Sequence, residues 1–331
     1  MDEPILKTNW ERFKAHVDLD KAAIEKLLSP YCKIPVKSFS LLSEGCANTN
    51  YKINFHDDHP PVVIRIYMRE KSALKREVAI HHLISNSVPV PKHYYSDDSC
   101  QLYPHAYSIM EWIDGMLMRE IVLSGNESAI SELVLEAGQY LDQLRCIKFD
   151  KGGFFDEQLS VHPFAEDEKY LPYVLSLLNN DSINKSLGET LSHSVKKLVE
   201  QNAYLLSDPD NANLTHADYD PANIMVKKIQ GKWKIAAILD WEFAYAGTYL
   251  MDIGLMLRYS HKLPGYYETR FIEGIEANGF KLPYTWKKQA KLLDLLCLLQ
   301  LTYSNPSSER PHLNKDVVSL IANTLDNWDS Y

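Results

Sequence analysis

Three polar residues with a spacing suited to catalysis lie between two apolar stretches of the chain. Residues 214–226 read LTHADYDPANIMV, an H-x-D-x-x-x-x-N pattern formed by His216, Asp218 and Asn223. Pro221 excludes a continuous helix, so the pattern predicts two strands joined by a tight loop. On such a loop an aspartate can accept a proton from a hydroxyl group while the asparagine offers a carbonyl oxygen to a hard cation.

A second carboxylate follows at the end of the next predicted strand. Residues 232–239 read KWKIAAIL, and Asp240 follows directly after them. We interpret this carboxylate as a second ligand of the same cation, beside Asn223. One proton acceptor and two oxygen ligands are typical of metal-assisted phosphoryl transfer, the chemistry that these residues predict.

Composition excludes several classes of protein. The chain has 331 residues, 45% of them hydrophobic, a net charge of −9 and a pI near 5.7, which argue against a nucleic-acid partner. Five scattered cysteines without a C-x-x-C pair indicate neither a disulfide framework nor a zinc site, and histidines such as His81 and His82 show no ligand spacing. Residues 1–30 lack a signal-peptide apolar core, and the most apolar stretch, 292–301, is too short to cross a membrane. We therefore expect a cytoplasmic protein without a membrane partner.

The elements that must position these residues fall into two groups. Before Gly115, periodicity predicts strands alternating with two helices; after it, the pattern is mostly helical. The predicted helices of the first part are 10–29 and 72–85, and its strands are 39–42, 51–55, 62–67, one near 94–95, and 105–112. The predicted helices of the second part are 128–146, 164–178, 182–206, 252–259, 265–278, 286–304 and 314–328.

This order predicts an α+β fold of two lobes. We expect a helical leader over residues 1–36 packed on the first lobe, a nucleotide-binding sheet and helix over residues 37–115, and a helical lobe with the catalytic loop and substrate site over residues 116–331. A small sheet lobe joined to a larger helical lobe leaves a cleft between them, the usual place for a cofactor.

Together these features resemble the aminoglycoside phosphotransferase and choline kinase family of protein-kinase-like enzymes. The resemblance runs from about residue 39 to 252 and is strongest in THADYDPAN (215–223) and ILDWE (238–242). These segments look like the family's catalytic loop and its Asp-Trp-Glu metal-binding signature. The resemblance implies a bilobal protein-kinase-like fold with a small antiparallel N-lobe sheet and a larger helical C-lobe.

The resemblance assigns roles to the residues of the loop. It implies that Asp218 is the catalytic base and that Asn223 and Asp240 bind Mg²⁺. His216 is then a hydrogen-bonding scaffold, and Asp252 braces the loop from the following helix. The alternatives are a turn-forming aspartate at position 218 and an ordinary helix N-cap at position 252.

A charged pair is expected in the first lobe. Arg65 occupies the strand position where protein kinases keep a lysine on the nucleotide phosphates, and a guanidinium can fill that role. Glu77 would pair with Arg65 and fix its direction. The alternatives are an exposed edge-strand cation for Arg65 and a solvated helix face for Glu77.

Two further segments are expected to bind the nucleotide. Residues 43–50, SEGCANTN, should cover the phosphates, and Gly45 and Asn48 match the family's pattern of a glycine followed three positions later by asparagine. Residues 108–113, SIMEWI, resemble the strand whose main chain binds adenine, at Glu111 and Ile113.

The acceptor is less well defined. Residues 116–331 carry 21 Lys and Arg against 29 Asp and Glu, which could attract a cationic or aminated hydroxyl compound or could be an ordinary solvated surface. Asp220 and Glu242 flank the predicted centre and are candidate substrate contacts.

These features predict a small-molecule kinase that transfers the γ-phosphate of ATP or GTP to a hydroxyl group with Mg²⁺. A protein kinase is disfavoured because Asp252 follows Asp240 by only twelve positions, too few to lay out a peptide. An inactive scaffold is disfavoured because the base and both metal ligands are present. Antibiotic inactivation and phosphorylation of choline, homoserine, a sugar or fructosamine all stay open, as do ATP against GTP and the oligomeric state.

Overall fold

The computed structural model describes residues 5–43, 47–207 and 211–331. A short segment, residues 5–20, precedes the first helix and contacts both lobes. The N-lobe that follows is built on one antiparallel sheet with strand order β1-β2-β3-β5-β4. Its elements are α1 (Lys21–Leu28), β1 (Val36–Leu42), β2 (Thr49–Phe55), β3 (Val62–Ile66), α2 (Ser72–Ile84), β4 (His93–Asp97) and β5 (Tyr107–Glu111).

One face of the N-lobe sheet packs against α1. Side chains along β2 alternate between buried and half-buried positions, as a strand with one covered face requires. The apolar core beneath it joins Leu27 and Leu28 of α1 to Ile53 and Ile64 of the sheet. β3 lies between β2 and β5, so a side chain on β3 belongs to a central strand.

The C-lobe is larger and mainly helical, as predicted. Its helices are α3 (Met118–Leu123), α4 (Glu127–Arg145), α5 (Tyr170–Leu178), α6 (Asp181–Leu187), α7 (Glu189–Gln201), α8 (Tyr249–Met256), α9 (Tyr266–Glu276), α10 (Trp286–Ser304) and α11 (Pro311–Asp326). Its short strands are β6 (Met116–Leu117), β7 (Lys148–Phe149), β8 (Gly153–Phe155), β9 (Val161–Pro163), β10 (Ala212–Thr215), β11 (Ile224–Ile229), β12 (Lys232–Ile238) and β13 (Tyr245–Gly247).

The strands on either side of the H-x-D-x-x-x-x-N loop belong to two different small sheets. β10 lies in the order β7-β10-β13-β8-β9, whereas β11 lies in the order β12-β11-β6. The loop therefore bridges two sheets that are packed on one large apolar core, which fixes both of its ends. Within the described residues, no helix is long and apolar enough to cross a membrane. The predicted α+β architecture with a small antiparallel sheet and a larger helical part is confirmed.

The chain passes between the lobes at Gly115. This residue has a φ of +147°, and a Cβ atom built there would lie 2.2 Å from the carbonyl oxygen of Val226. Glycine is therefore required, because a side chain would collide with the backbone of β11. The close approach lets β6 pair with β11 immediately after the crossing.

The helix predicted over residues 10–29 is wrong for its first half. Only Lys21–Leu28 is helical, and Asp20 caps it by accepting a hydrogen bond from the Ala23 N–H at 2.8 Å. Residues before Asp20 are held by tertiary contacts instead: the Trp10 indole donates to Asp316, and the Val17 N–H donates to Thr49 Oγ1. These contacts override the helical spacing of the apolar residues.

The predicted helix 182–206 is also divided. Gly188, with a φ of +79°, separates α6 from α7, and the second helix ends at Gln201. The helix predicted from residue 164 begins at Tyr170 because the preceding residues form β9 and a turn. Sequence periodicity did not predict α3 or the strands β6 to β9 and β13. These elements are two to six residues long, too short to show a period.

Candidate active site

The loop between β10 and β11 is held in shape by Asp252 of α8. Its carboxylate accepts hydrogen bonds from the His216 N–H at 2.8 Å and from the Ala217 N–H at 2.9 Å. Ala217 has a φ of +64°, a left-handed conformation that is strained for a residue with a side chain. The two bonds offset this strain, and the helix is thereby tied to the residue that precedes Asp218.

We expect Asp252→Ala to destabilise the protein by roughly 2–4 kcal/mol in free energy of unfolding, since two buried N–H groups would lose their acceptor. Asp252→Asn keeps one acceptor oxygen and should cost less. Urea unfolding of both variants measures the difference. Equal stability of the alanine variant and wild type would show that water replaces the carboxylate.

His216 connects the loop to the strand that carries Asp240. Its Nδ1 accepts from the Asp218 N–H at 3.1 Å, so its Nε2 carries the hydrogen and donates to the Leu239 carbonyl at 2.8 Å. Burial lowers the pKa of His216 below its usual range, which agrees with a neutral ring. Both ring nitrogens are thus engaged in hydrogen bonds that join the loop to Leu239, and the scaffold role of His216 stays a prediction.

Asp218, the candidate base, and the two candidate metal ligands line the same cleft. The Asn223 amide nitrogen donates to Asp218 Oδ2 at 2.7 Å and to the Asp218 carbonyl at 2.8 Å. Leu239, which precedes Asp240, donates its N–H to the main-chain carbonyl oxygen of Asn223 at 2.8 Å. These bonds place all three side chains at neighbouring points on one wall.

Asp240 is held in an uncommon conformation at the end of β12. Its φ of +65° is left-handed, and its side chain is about one quarter exposed. That exposure is on the cleft, whose lining includes Asp240. The strained turn directs the carboxylate away from the strand and toward the N-lobe.

Arg65 of β3 meets Asp240 from across the cleft. Its Nη2 forms a short ion pair with Asp240 Oδ1, and its Nε lies 3.4 Å from Glu77 Oε2. Arg65 is 7% exposed and Glu77 is 1% exposed, so the alternatives of an exposed edge cation and a solvated helix face are wrong. Burial opposes the charge on Arg65, but the negative charges of Asp240 and Glu77 outweigh it and raise the guanidinium pKa further.

The other residues predicted to contact the nucleotide differ in their positions relative to the cleft. Gly45 lies outside the described residues. The Asn48 side chain accepts from the Met68 N–H at 3.1 Å, so it braces its own lobe, although the residue lines the cleft. Glu111 and Ile113 also line the cleft, on the segment that leads to Gly115.

The two candidate substrate residues differ in position. Glu242 is 8% exposed, lies 3.9 Å from the Arg69 guanidinium, and has its pKa raised to about 7 by burial and by the charge of Asp240. It lines the cleft close to Arg65. Asp220 is buried inside the loop, where its Oδ1 accepts from the Ala222 N–H at 2.7 Å.

Sequence reasoning missed one cation at the centre. Lys7 lies 2.5 Å from Asp218 Oδ1 and also forms an ion pair with Asp220. It is separated from Asp218 by 211 positions in the chain, and no motif marks it. Only the folded path of residues 5–12 brings this ammonium group to the loop.

A second unexpected group lies behind Arg65. Glu77, His81 and His93 bring one possible ligand atom each to within 4.8 Å of one another. The ring nitrogens His93 Nε2 and His81 Nδ1 are 3.0 Å apart. Burial lowers the pKa of both rings, to about 4 for His93, so both are neutral. No ligand spacing marks this group along the chain, because His93 lies on a separate strand, β4.

The donor set fits a hard divalent cation between the lobes. Asn223 uses its amide nitrogen on Asp218, which leaves the carbonyl oxygen as the atom it can offer, and Asp240 offers a carboxylate. Amide and carboxylate oxygens are the kind of ligands that Mg²⁺ prefers. The cleft has a volume of about 670 Å³, large enough for a nucleotide.

Comparisons with known proteins agree with this geometry. A family model described as "Phosphotransferase enzyme family" matches residues 38–283. No curated protein sequence matches the chain.

Solved structures with the same fold include complexes of aminoglycoside phosphotransferases. A thermostable mutant of aminoglycoside phosphotransferase APH(4)-Ia, in ternary complex with AMP-PNP and hygromycin B, is 14% identical; 91% of this chain and 98% of that chain are covered, with a TM-score of 0.62. The GDP complex of an aminoglycoside 2′-phosphotransferase-IIIa mutant is 13% identical, with 93% and 98% covered and a TM-score of 0.69. The GDP and kanamycin complex of APH(2″)-IIIa is 13% identical, with 93% and 99% covered and a TM-score of 0.65. At these identities the likeness shows a shared fold.

Proposed function

The chain belongs to the phosphotransferase enzyme family and is a kinase of small molecules, and we propose that it transfers the γ-phosphate of ATP or GTP to a hydroxyl group of an aminated acceptor. One observation carries the proposal. Asp218, Asn223 and Asp240 line a single wall of the interlobe cleft, and Arg65 approaches Asp240 from the opposite lobe. A proton acceptor, two oxygen ligands and a phosphate-binding cation therefore surround one space.

Asp218 is the proposed base. Burial alone would raise the pKa of this carboxyl, but the charge of Lys7 outweighs it and holds the pKa below its usual range. Asp218 is therefore ionised at neutral pH and can accept a hydrogen bond from the acceptor hydroxyl. Because a low-pKa carboxylate is a weak base, its main contribution is to orient the hydroxyl for in-line attack, with the proton transferred late.

The nucleotide is held from both lobes in this proposal. Arg65, fixed by Glu77, faces the α- and β-phosphates. The main chain near Glu111 and Ile113 binds the adenine or guanine ring. Asn223 and Asp240 hold Mg²⁺, which neutralises charge on the phosphates when bound. Support for a nucleotide comes from the structural relatives, which were solved with AMP-PNP or GDP.

An aminated acceptor is supported by the charge of the loop. The two carboxylates of Asp218 and Asp220 face a single ammonium group, that of Lys7, which leaves this corner of the cleft with a surplus of negative charge for a cationic acceptor. The relatives with bound hygromycin B and kanamycin point to the same class of molecule.

A nucleotide-consumption screen tests the proposal. The wild-type chain is incubated with Mg²⁺ and either ATP or GTP in the presence of aminoglycosides, amino sugars and amino alcohols. Each amine is paired with the polyol that lacks the amino group. We expect turnover with at least one amine and little with its matched polyol. Turnover with polyols alone would overturn the aminated acceptor, and the absence of turnover across the panel would overturn the proposed acceptor class.

A further inference from the structure

The N-terminal segment, residues 5–12, delivers a lysine to the catalytic loop. Lys7 Nζ lies 2.5 Å from Asp218 Oδ1 and forms a second ion pair with Asp220. The Lys7 side chain is 13% exposed and lines the cleft. The ammonium group is thus bound to the carboxylate that we propose as the base.

The segment is held in a fixed position by contacts on both sides of Lys7. Leu6 is 3% exposed and belongs to the large core of the C-lobe. The Trp10 indole donates to Asp316 Oδ2 at 2.9 Å, and Glu11 Oε1 accepts from the His312 N–H at 2.8 Å, at the start of α11. A buried apolar side chain on one side and hydrogen-bonded anchors on the other fix the turn between them.

That turn is strained. Leu6, Lys7 and Asn9 have φ values of +51°, +60° and +65°, although none of them is glycine. A left-handed conformation is strained for a residue with a side chain and persists only where surrounding contacts determine it. A mobile tail that rested in the cleft by chance would relax this strain, so the anchors must hold Lys7 at the loop.

The charge of Lys7 is stable. Burial would lower the pKa of its ammonium group, but the charges of Asp218 and Asp220 together outweigh burial and raise it above the usual value. Lys7 therefore stays a cation across the whole pH range in which the enzyme could work, and it takes no part in proton transfer.

Phosphoryl transfer needs a fixed cation at this place. The transferring group spreads negative charge over three oxygens while the bond to the acceptor oxygen forms and the bond to the nucleoside diphosphate breaks. Arg65 is paired with Asp240 and Glu77, toward the phosphates that stay on the nucleotide. Lys7 lies at the carboxylate that binds the attacking hydroxyl, where charge on the transferring group develops.

We propose that Lys7 is a catalytic residue that binds the transferring phosphoryl group, with Asp220 as its permanent anchor. When substrates enter, the ammonium group exchanges its bond to Asp218 for one to a phosphoryl oxygen. Asp218 is then released to accept the proton of the acceptor hydroxyl. This inference rests on the proposed function, because it needs phosphoryl transfer at Asp218.

The same contacts would also suit the opposite role, in which Lys7 occupies the acceptor site and competes with the substrate. If Lys7 only fills the place of an acceptor amine, removing it should free the site and lower the KM for the acceptor. If Lys7 binds the phosphoryl group, removing it should lower kcat. The two readings thus predict changes of opposite sign.

The test is Lys7→Ala with chemical rescue. ADP or GDP release is measured with magnesium nucleotide and the best acceptor of the screen, and again with water alone. We expect kcat to fall by about 10²–10³-fold, the effect of losing one preorganised charge, with little change in the acceptor KM. Added methylammonium or ethylammonium should restore part of kcat by filling the vacated place, whereas tetramethylammonium, which has no N–H, should not.

Lys14→Ala is the matched control, because Lys14 lies in the same N-terminal stretch but is exposed; its kcat should equal that of wild type. A rise in activity or a lower acceptor KM in Lys7→Ala would overturn the proposal in favour of an internal competitor. A loss of kcat without rescue by the small amines, together with lower thermal stability, would overturn it in favour of a structural role. Wild-type turnover itself tests the proposed function, whereas the ratio of Lys7→Ala to wild type tests this inference.

Discussion

Replacing Asp218 by asparagine is expected to lower kcat by about 10³-fold while leaving the affinity for magnesium nucleotide within a factor of a few. The substitution keeps the size of the side chain but removes the proton acceptor. Asn223 and Asp240, the proposed cation ligands, keep their positions because the loop is fixed through Asp252 and His216. Steady-state turnover and nucleotide titration measure the two quantities separately.

The Asp218→Asn variant has an appropriate control in Asp167→Asn. Asp167 is an exposed aspartate of the same lobe, so its replacement should change neither quantity. Lys7 keeps its ion pair with Asp220 in the Asp218 variant, so the segment 5–12 should remain in place. Full turnover by Asp218→Asn would mean that another group accepts the proton, and the base assignment would be wrong.

The parts of the fold that could be predicted are those whose determinants are local in sequence. The alternation along β2 and the i, i+3, i+4 spacing of buried residues in α4 follow directly from strand and helix periods. The proposed catalytic loop was recognisable for a similar reason, since His216, Asp218 and Asn223 lie within eight positions. The bilobal arrangement followed from the order of strands and helices.

The parts that could not be predicted depend on contacts between distant residues. Lys7 reaches Asp218 only because Leu6 enters the C-lobe core and Glu11 binds the start of α11. The same anchors prevent the apolar residues around Trp10 from forming the predicted helix. A sequence pattern reports which face of an element is apolar, but it does not report which remote surface will compete for it.

The grouping of Glu77, His81 and His93 has the same origin. Glu77 and His81 share a face of α2, whereas His93 arrives on β4 after a loop. Their proximity depends on how α2 packs on the sheet, which no spacing in the sequence records. For Arg65 the prediction was correct in part. The sequence predicted its pair with Glu77, whereas its contact with Asp240 across the cleft is visible only in the folded chain.

Replacing Asp240 by asparagine should damage a different step from the one that Asp218 serves. The amide keeps an oxygen near Arg65 but loses the charge that holds a divalent cation, an effect of several kcal/mol, so we expect kcat/KM to fall by about 10²–10⁴-fold. The Mg²⁺ concentration needed for half-maximal turnover should rise as well. Calorimetric titration of the nucleotide with and without Mg²⁺ measures the loss of metal-dependent binding directly.

The two substitutions together separate the assignments. Asp58→Asn, at an exposed position of the N-lobe, is the control for Asp240→Asn and should bind magnesium nucleotide like wild type. Asp218→Asn should bind nucleotide but not turn over, whereas Asp240→Asn should lose the magnesium dependence of binding first. If Asp240→Asn bound magnesium nucleotide normally, the cation would have to be held elsewhere, and Asp240 would serve only to fix the direction of Arg65. Because the two outcomes fall on different measured quantities, an error in the metal assignment cannot be mistaken for an error in the base.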